Sequence, residues 1–276
     1  LGSLVVIGLL FIVFPQYALI LVGAFGLLSM LVASIELGIK QHKSVFMALL
    51  VSAIALILLA INLELHMSPY KSLPQTLQVD GTEVIEQDSS PFGLVSIIDS
   101  RNVPFRHAPG LCLASTAETL PQLGIFTDGD NMTVITKAAE DPSQLVYLDQ
   151  VTSALPYHLA DPGSVLIVGA GGGTDILQAI YHSNNRKSSP AIDAVELNPQ
   201  LIDIVGKRYR EFNGDLFQRP GVEVHDGDVR GVLTQNQKQY DLRQLSLMDA
   251  FNASASGLYA LNEDYLYTIE ALKHYI

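Results

Sequence analysis

The sequence predicts an α/β protein in which transmembrane helices and a small β domain precede a doubly wound parallel sheet. An apolar, strand-type run, Ser164–Val168, ends in a glycine loop and leads into a helix-type segment. From Gly163 onward, strand-type and helix-type segments alternate, which predicts parallel strands joined by right-handed crossovers. The charged residues lie almost wholly after Leu63, so the region before that residue is predicted to lie in a membrane.

Two segments of the N-terminal region are long enough to span a bilayer. These segments are Tyr17–Ile39 and Ser44–Leu63. Each has at least the roughly 20 helical residues that cross about 30 Å of hydrocarbon. Leu1–Phe14 is too short to span, and neither a basic leader nor a small-residue cleavage site accompanies it. We therefore expect it to be the tail of a truncated transmembrane helix rather than a signal peptide. Residues 1–64 are predicted to be the helices of a multi-pass cell-membrane protein.

The middle of the chain, residues 65–159, is predicted to be a small β domain. Short strand-type runs occur at Phe92–Asp99, Gly124–Asp130 and Met132–Ile135. Asp128-Gly129 is a dipeptide typical of tight hairpin turns. Leu145–Leu159 is predicted to be a helix that leads into the next domain.

Residues 160–276 are predicted to form a Rossmann-like, doubly wound domain. The chain ends inside the last predicted helix, so we expect the domain to be truncated at its C-terminus. The predicted strands are Val165–Val168, Ala191–Glu196, Val222–Val224 and Leu242–Met248; the helices are Asp175–His182, Pro199–Phe212, Val229–Leu233 and Glu263–Tyr275.

Composition limits the partners and the chemistry. The formal net charge of −12 argues against a nucleic-acid partner. It is compatible with cationic small molecules such as polyamines, although ordinary solubility explains most of the charge. Cys112 is the single cysteine, which excludes an internal disulfide and a cysteine-based metal cluster. The seven histidines show no metal-ligand spacing along the sequence, so no metal is predicted.

The glycine loop indicates the type of cofactor. In the nicotinamide pattern G-x-G-x-x-G, the third glycine would fall on Thr174, whereas the pattern G-x-G-x-G fits fully at Gly169, Gly171 and Gly173. That second form suits adenosyl-methionine ligands, because they carry no pyrophosphate and the glycines let the backbone approach the ligand closely.

Acidic residues stand near the ends of the later strands. Glu196 ends the second strand, where an acid can accept hydrogen bonds from both ribose hydroxyls. Asp228 follows the third strand, where a carboxylate can bind an adenine amino group or cap the next helix. Asp249 follows the fourth strand, and ligands of open α/β sheets lie at such strand ends.

Several motifs together resemble those of the spermidine synthases and related aminopropyltransferases. They are Val168–Gly173, Glu196-Leu197-Asn198-Pro199, Gly227-Asp228-Val229-Arg230, and Tyr240-Asp241 with Asp249. Upstream, Ser68-Pro69-Tyr70-Lys71 resembles the family's Ser-Pro-Tyr-Gln segment, and Phe92–Val95 and Asp128-Gly129 resemble its later hairpins. The resemblance extends from about Ser68 to Ile276, and the fused membrane helices resemble the bacterial membrane-attached branch.

The resemblance implies transfer of an aminopropyl group from decarboxylated S-adenosylmethionine to an amine. It implies that Glu196 binds ribose, that Asp228 binds the adenine edge, and that Asp249 orients and deprotonates the amine. Three positions depart from the family pattern: Gly172 replaces the acid of its Gly-Gly-Gly-Asp-Gly loop, Ser246 the first acid of its Asp-x-x-Asp element, and Lys71 its Gln. Asp175 is a candidate to compensate for the loop acid. The expected cofactor-binding residues are Gly169, Gly171, Gly173, Asp175, Glu196, Asp228 and Val229, and the expected catalytic residue is Asp249.

Three functions agree with these residues. The first is a membrane-anchored, spermidine synthase-like transferase acting on a polyamine or another amine. The second is a methyltransferase that uses intact S-adenosylmethionine, and the third is a non-catalytic membrane protein that binds a nucleoside ligand. A homodimer is left open as an oligomeric state.

The orientation in the membrane is predicted from two opposed arguments. Lys40 and Lys43 place the loop between the spans inside by the positive-inside rule, which would put the soluble part outside. A cytosolic cofactor favours the reverse, and we expect the soluble part to be cytoplasmic.

Overall fold

A computed structural model of the chain describes residues 2–36, 42–63, 66–183, 191–236, 238–245 and 268–275. The chain forms two compact units. One consists of Leu1–Ser68 with Asp88–Leu94, and the other of Pro69–Gln87 with Val95–Ile276. The three-part division expected from the sequence stays a prediction.

The first unit contains three apolar helices, α1 (Gly2–Leu10), α2 (Pro15–Glu36) and α3 (His42–Asn62). Pro15 begins α2, because the first turn of a helix leaves the N–H that proline lacks unpaired in any case. Pro15–Glu36 and Lys43–Asn62 are long and apolar enough to cross a membrane. Their large apolar side chains are mostly exposed, so folding of this unit leaves most of that surface uncovered.

After the three apolar helices, the chain forms α4 (Ser72–Thr76) and a sheet whose strand order is β1-β2-β3-β4. The pairs β2–β3 and β3–β4 are antiparallel. Asp128 and Gly129 form the turn between β3 and β4 and have φ values of 52° and 79°, as a type I′ hairpin turn requires. The predicted hairpin is confirmed, whereas β1 was missed. The strands are β1 (Thr82–Ser90), β2 (Gly93–Ser100), β3 (Gln122–Thr127) and β4 (Asp130–Thr136).

The connector between the two sheets corrects one prediction. In place of a single helix at Leu145–Leu159, the chain forms 3₁₀ helices at Pro142–Asp149 and Thr152–Ala154, followed by α5 (Leu155–Leu159). The helix is interrupted because Val151 is extended and forms an isolated antiparallel β-bridge with Leu111.

The second sheet confirms the predicted α/β class. Within the described residues, its four parallel strands lie in the order β7-β6-β5-β8. Because the chain reverses its direction of travel across the sheet at β5, the carboxyl ends of β5 and β8 border the crevice in which such sheets bind ligands. The strands are β5 (Ser164–Val168), β6 (Ala191–Glu196), β7 (Val222–Asp226) and β8 (Leu242–Leu245).

The helices of this part agree with the prediction except at one place. α6 (Thr174–Ser183), α9 (Val229–Asn236) and α10 (Ile269–Tyr275) occur where helices were expected. The predicted helix Pro199–Phe212 is instead divided into α7 (Pro199–Asp203), a π-helical turn at Ile204–Arg208 and α8 (Arg210–Asn213). In the π turn, the Tyr209 N–H donates to the Ile204 carbonyl, five residues back, instead of to the carbonyl four residues back. Residues 246–248 and 263–267 of the predicted elements lie outside the described residues.

One apolar cluster lies beneath both sheets. It contains Ile97 and Ile125 from the first sheet, Val165 and Ile167 from the second, and the fully buried Tyr147 of the connector. Burial of such side chains supplies the main favourable term in folding, so this cluster fixes the hairpin β3–β4 and the start of α6 in one packed body.

Candidate functional site

The glycine loop between β5 and α6 adopts the conformation that its sequence requires. Gly169, Gly171 and Gly173 have φ values of 85°, 48° and 92°. Residues with a side chain rarely adopt such values. The G-x-G-x-G spacing is therefore needed to fold this loop, whether or not a ligand is bound.

All five backbone N–H groups of the loop donate within the protein. The amides of Gly169 and Ala170 bond to the Val195 carbonyl at 2.8 and 3.2 Å, and that of Gly173 bonds to the Ala170 carbonyl at 2.8 Å. The Gly171 amide donates to Glu196 and the Gly172 amide to Thr133. A pyrophosphate-binding loop directs such amides at the phosphates, whereas these five bond within the protein.

Glu196 holds the loop to the end of β6. Its Oε2 accepts the Gly171 N–H at 2.9 Å and its Oε1 accepts the Asn198 N–H at 2.9 Å. The side chain is buried. Burial raises the pKa of Glu196, and the nearby charge of Asp226 adds to this, although the backbone hydrogen bonds act to lower it. Each carboxylate oxygen has two lone pairs, so the carboxylate keeps acceptor capacity beyond these two backbone hydrogen bonds.

Strand β4 covers the other side of the loop. Thr133 Oγ1 accepts the Gly172 N–H at 2.9 Å. A Cβ atom added to Gly172 would lie 2.0 Å from the carbonyl oxygen and 2.4 Å from the carbonyl carbon of Val134. Position 172 therefore has no room for any side chain while β4 lies where it does, and the acid that the family carries there cannot be accommodated.

Asp175, in the first turn of α6, belongs to a polar network that reaches β8. Gln244 Nε2 donates to Asp175 Oδ1 at 2.8 Å, and the Tyr157 hydroxyl donates to Gln244 Oε1 at 2.7 Å. Gln178 extends the network through its contact of 3.2 Å with Gln244 Nε2. The carboxylate is thus held beside the crevice between β5 and β8.

The surroundings of Asp175 make it a proton-exchanging group near neutral pH. Burial raises the pKa of Asp175 to about 6 from an ordinary value of 3.8, although the Gln244 hydrogen bond acts in the opposite direction. Burial and the negative charge of Asp175 raise the pKa of Tyr157, so the phenol keeps its proton and its role as donor. Carboxyl groups with raised pKa values cluster at functional sites.

The structure also locates two other residues expected at the site, Asp228 and Val229. Asp228 caps α9 by accepting the Arg230 N–H at 2.8 Å through Oδ1, and its side chain is 47% exposed, so it is accessible. Val229 is buried in a second apolar cluster with Leu166 and Val168. Asp249 and Ser246 lie outside the described residues.

Two upstream segments named in the resemblance lie together. The Leu73 N–H donates to the Gly129 carbonyl at 2.8 Å, and the Ser72 N–H donates to Asp130 at 2.9 Å. Lys71 donates to the Asp128 carbonyl and pairs with Asp130 at 3.6 Å. The lysine that replaces the family's glutamine therefore fastens this segment to the β3–β4 turn.

Sequence reasoning missed three residues that touch the site: Thr133, Tyr157 and Gln244. Gln244 did carry a signal, because an amide within a buried parallel strand must have a partner. Nothing in the local sequence of Thr133 or Tyr157 indicates a contact with a loop or strand far along the chain.

Four parallel strands, a glycine loop after the first and an acid at the end of the second are the arrangement in which α/β proteins hold nucleoside-type ligands. Comparisons with known proteins find relatives of low sequence identity. A polyamine aminopropyltransferase of Sulfurisphaera tokodaii is 21% identical over 172 residues, which cover 62% of this chain and 52% of that protein. Polyamine aminopropyltransferase 2 of Pseudomonas aeruginosa is 25% identical over 124 residues, covering 45% and 34%.

A polyamine aminopropyltransferase of Korarchaeum cryptofilum is 26% identical over 108 residues, covering 39% of this chain and 32% of that protein. By sequence, then, the chain is spermidine synthase-like, and it spans about half or less of the length of these relatives. Among solved structures, spermidine synthase in complex with the transition state analogue AdoDATO matches with a TM-score of 0.40 and 16% identity, over 61% of this chain and 48% of that one. No family model matches the chain.

Proposed function

We propose that the chain is an aminopropyltransferase-like enzyme. It binds decarboxylated S-adenosylmethionine and transfers the aminopropyl group to a polyamine or another amine. The observation that carries this proposal is the similarity to polyamine aminopropyltransferases over up to 172 residues. The engagement of all five loop amides inside the protein supports an adenosyl ligand without a pyrophosphate.

In this proposal the loop and two acids hold the donor. Gly169, Gly171 and Gly173 let the backbone approach the adenosyl group. Glu196 accepts from the ribose hydroxyls with the lone pairs that the loop leaves available, and the exposed Asp228 accepts from the adenine edge. The buried Val229 packs beneath that edge.

The reaction needs a neutral amine and a well-placed carboxylate. The amine nitrogen attacks the carbon beside the sulfonium, the carbon–sulfur bond breaks, and its electron pair leaves with the thioether. The proton lost by the amine passes to a carboxylate, for which we propose Asp249. Alignment of the amine nitrogen with the carbon that it attacks supplies much of the remaining rate acceleration.

We propose Asp175 as the second acidic group of the site. Position 172 cannot hold the family's acid, whereas Asp175 stands three residues later and is held by Gln244 beside the β5–β8 crevice. A carboxylate about 4 Å from an ammonium group contributes on the order of 4 kcal/mol at an effective dielectric near 20. A carboxylate at position 175 would therefore strengthen the binding of a cationic group in the crevice.

Helices α2 and α3 are proposed to anchor the protein in the cell membrane as a multi-pass protein, with the second unit in the cytoplasm. The apolar length of both helices supports the anchoring. The cytosolic origin of the cofactor supports the orientation.

Ligand binding separates the three candidate functions. We expect the purified chain to bind methylthioadenosine at least roughly tenfold more tightly than adenosylhomocysteine, a difference of about 1.4 kcal/mol, as measured by calorimetry. The reverse preference would indicate a methyltransferase. Binding of methylthioadenosine without turnover of any diamine or polyamine would indicate the non-catalytic alternative, which the absence of room for an acid at Gly172 specifically favours.

Asp249 is tested by a substitution that keeps its shape. We expect Asp249→Asn to lower turnover by roughly 100-fold or more, the usual range for loss of a general base, while methylthioadenosine binding changes little. Asp215→Asn, at an exposed aspartate paired with Arg210, is the matched control and should leave both unchanged. If turnover by Asp249→Asn equals that of the control, Asp249 has no catalytic role.

A further inference from the structure

We propose that Asp149, His158 and His182 form a Zn²⁺-binding site. The three residues come from different elements: Asp149 ends the first 3₁₀ helix of the connector, His158 lies in α5, and His182 lies in the last turn of α6. Their ligand atoms all lie within 4.8 Å of one another. Two imidazoles and one carboxylate are a ligand set that zinc takes in proteins.

The distances require only small adjustments. His158 Nε2 lies 2.8 Å and His182 Nε2 lies 3.8 Å from Asp149 Oδ1. Ligand atoms at about 2.0–2.1 Å from a tetrahedral zinc ion are roughly 3.3 Å apart. The two observed distances lie on either side of that value. His158 is half exposed, so its ring can move by the fraction of an ångström that is needed, and water can complete the coordination.

His182 carries the strongest sign that a cation belongs here. Its Nε2 is buried and has no hydrogen-bond partner among the described residues. A buried imidazole nitrogen without a partner is costly, and the Nε2 of histidine is a common metal ligand.

Neighbouring rings hold His182 in this orientation. Tyr157 stacks on it with a centroid distance of 4.7 Å and an interplanar angle of 8°. Tyr181 and His158 contact it edge to face at 5.2 and 5.4 Å. A ligand fixed by packing loses little conformational entropy when a metal binds.

The position of Asp149 also suits a metal. The unpartnered Nε2 of His182 lies 3.8 Å from Asp149 Oδ1, which is too far for a hydrogen bond. A cation between the two atoms would bind both.

The site is separate from the proposed transfer site and does not rest on it. The glycine loop leads into the N-terminal end of α6, whereas His182 lies near the other end, about 12 Å farther along the helix at about 1.5 Å per residue. Zinc here would clamp the connector to α6. It would also steady Tyr157, whose hydroxyl holds Gln244.

A second cluster in the chain provides an internal control. Asp193, Glu223 and His225 also lie close enough to share an ion. Lys238 Nζ already lies 3.0 Å from Asp193, and the Tyr240 hydroxyl donates to the same carboxylate at 2.6 Å. A cation is therefore already supplied there, and no zinc is expected to bind.

The test uses the whole chain in detergent, stripped with a chelator and titrated with Zn²⁺ alone. We expect one equivalent to bind and Co²⁺ to give the visible absorption of a tetrahedral site. H158Q and D149N should each weaken Zn²⁺ binding by at least roughly tenfold, whereas H225Q should not. Zn²⁺ at 100 times its Kd should raise the Tm of the parent by about 5 °C or more.

His158 and Asp149 are both partly exposed, so these variants are expected to fold, which circular dichroism checks. Binding that is lost in H158Q and D149N but kept in H225Q supports the site. The proposal is wrong if the parent binds no Zn²⁺, if H158Q binds it as tightly as the parent, or if H225Q loses it to the same extent.

Discussion

Replacing Gly172 with alanine is expected to destabilise the second unit by about 3 kcal/mol or more. The new Cβ would lie 2.0 Å from the Val134 carbonyl oxygen and 3.0 Å from the Val134 amide nitrogen. Both are backbone atoms, so no rotamer change relieves the contact. β4 cannot move away without cost, because Gly124 and Val134 are register partners in the β3–β4 ladder. The loop is held in turn by Glu196.

The same reasoning predicts that restoring the family's acid will fail. Gly172→Asp should destabilise the protein at least as strongly as Gly172→Ala, because it places a carboxylate against a carbonyl group. Gly231→Ala is the matched control, since that glycine lies in α9 with nothing within 4 Å of its added Cβ. It should be neutral or stabilise by up to about 1 kcal/mol.

Urea unfolding followed by circular dichroism measures both effects. If Gly172→Ala unfolds at the same urea concentration as Gly231→Ala, β4 does not cover the loop in solution. Gain of transfer activity in Gly172→Asp would likewise contradict the structure and would show that the loop opens to accept a side chain.

The parallel sheet could be predicted from the sequence because its signals are local. An apolar run, a glycine loop and a helical segment stand side by side at Ser164–Ser183, and helix boundaries such as Asn198-Pro199 are set by capping. Asn198 does accept the Gln200 N–H as a cap. The hairpin at Asp128-Gly129 follows from the same kind of local rule.

Contacts between distant parts of the chain could not be predicted in this way. Thr133 reaches Gly172 across 39 positions, and Tyr157 reaches Gln244 across 87. The zinc ligands likewise come from three elements and have no motif spacing. Their contacts depend on how the sheets and α6 pack, which a sequence pattern does not specify.

The sequence alone also could not decide the role of Asp228. The sequence left open a ligand contact or a helix cap, and the structure shows the cap with the side chain still accessible. The two roles are compatible, because capping uses one oxygen of the carboxylate. In the proposed site, Asp228 would bind the ligand with a group that folding has already oriented.

Replacing Asp175 with asparagine is expected to stabilise the protein near pH 8 while it lowers transfer. The folded-state pKa of about 6 lies above the ordinary 3.8, so the folded protein binds this proton more tightly than the unfolded chain does. The favourable contribution is complete below about pH 4 and is lost as the pH rises through about 6. The difference corresponds to roughly 2–3 kcal/mol.

Asparagine keeps the oxygen that accepts from Gln244 and cannot ionise. We expect Asp175→Asn to flatten the dependence of the unfolding free energy on pH between about 4 and 6 and to raise that free energy by about 1–2 kcal/mol at pH 8. If Asp175 is the second acidic group of the site, activity should fall in the same variant, as expected where function requires a destabilising residue.

Asp193→Asn is the matched control with the opposite sign. Burial acts to raise the pKa of Asp193, but hydrogen bonds from Tyr240, Lys238 and His225 outweigh it, and the pKa is lowered. The contribution of Asp193 is therefore present above its ordinary pKa and lost as the pH falls, so Asp193→Asn should destabilise the protein at pH 8. Urea unfolding at several pH values distinguishes the two variants, and a loss of stability in Asp175→Asn at pH 8 would contradict the assignment. A carboxylate that lowers stability at working pH, yet is held by Gln244, which Tyr157 holds in turn, supports the proposal that the site requires its charge.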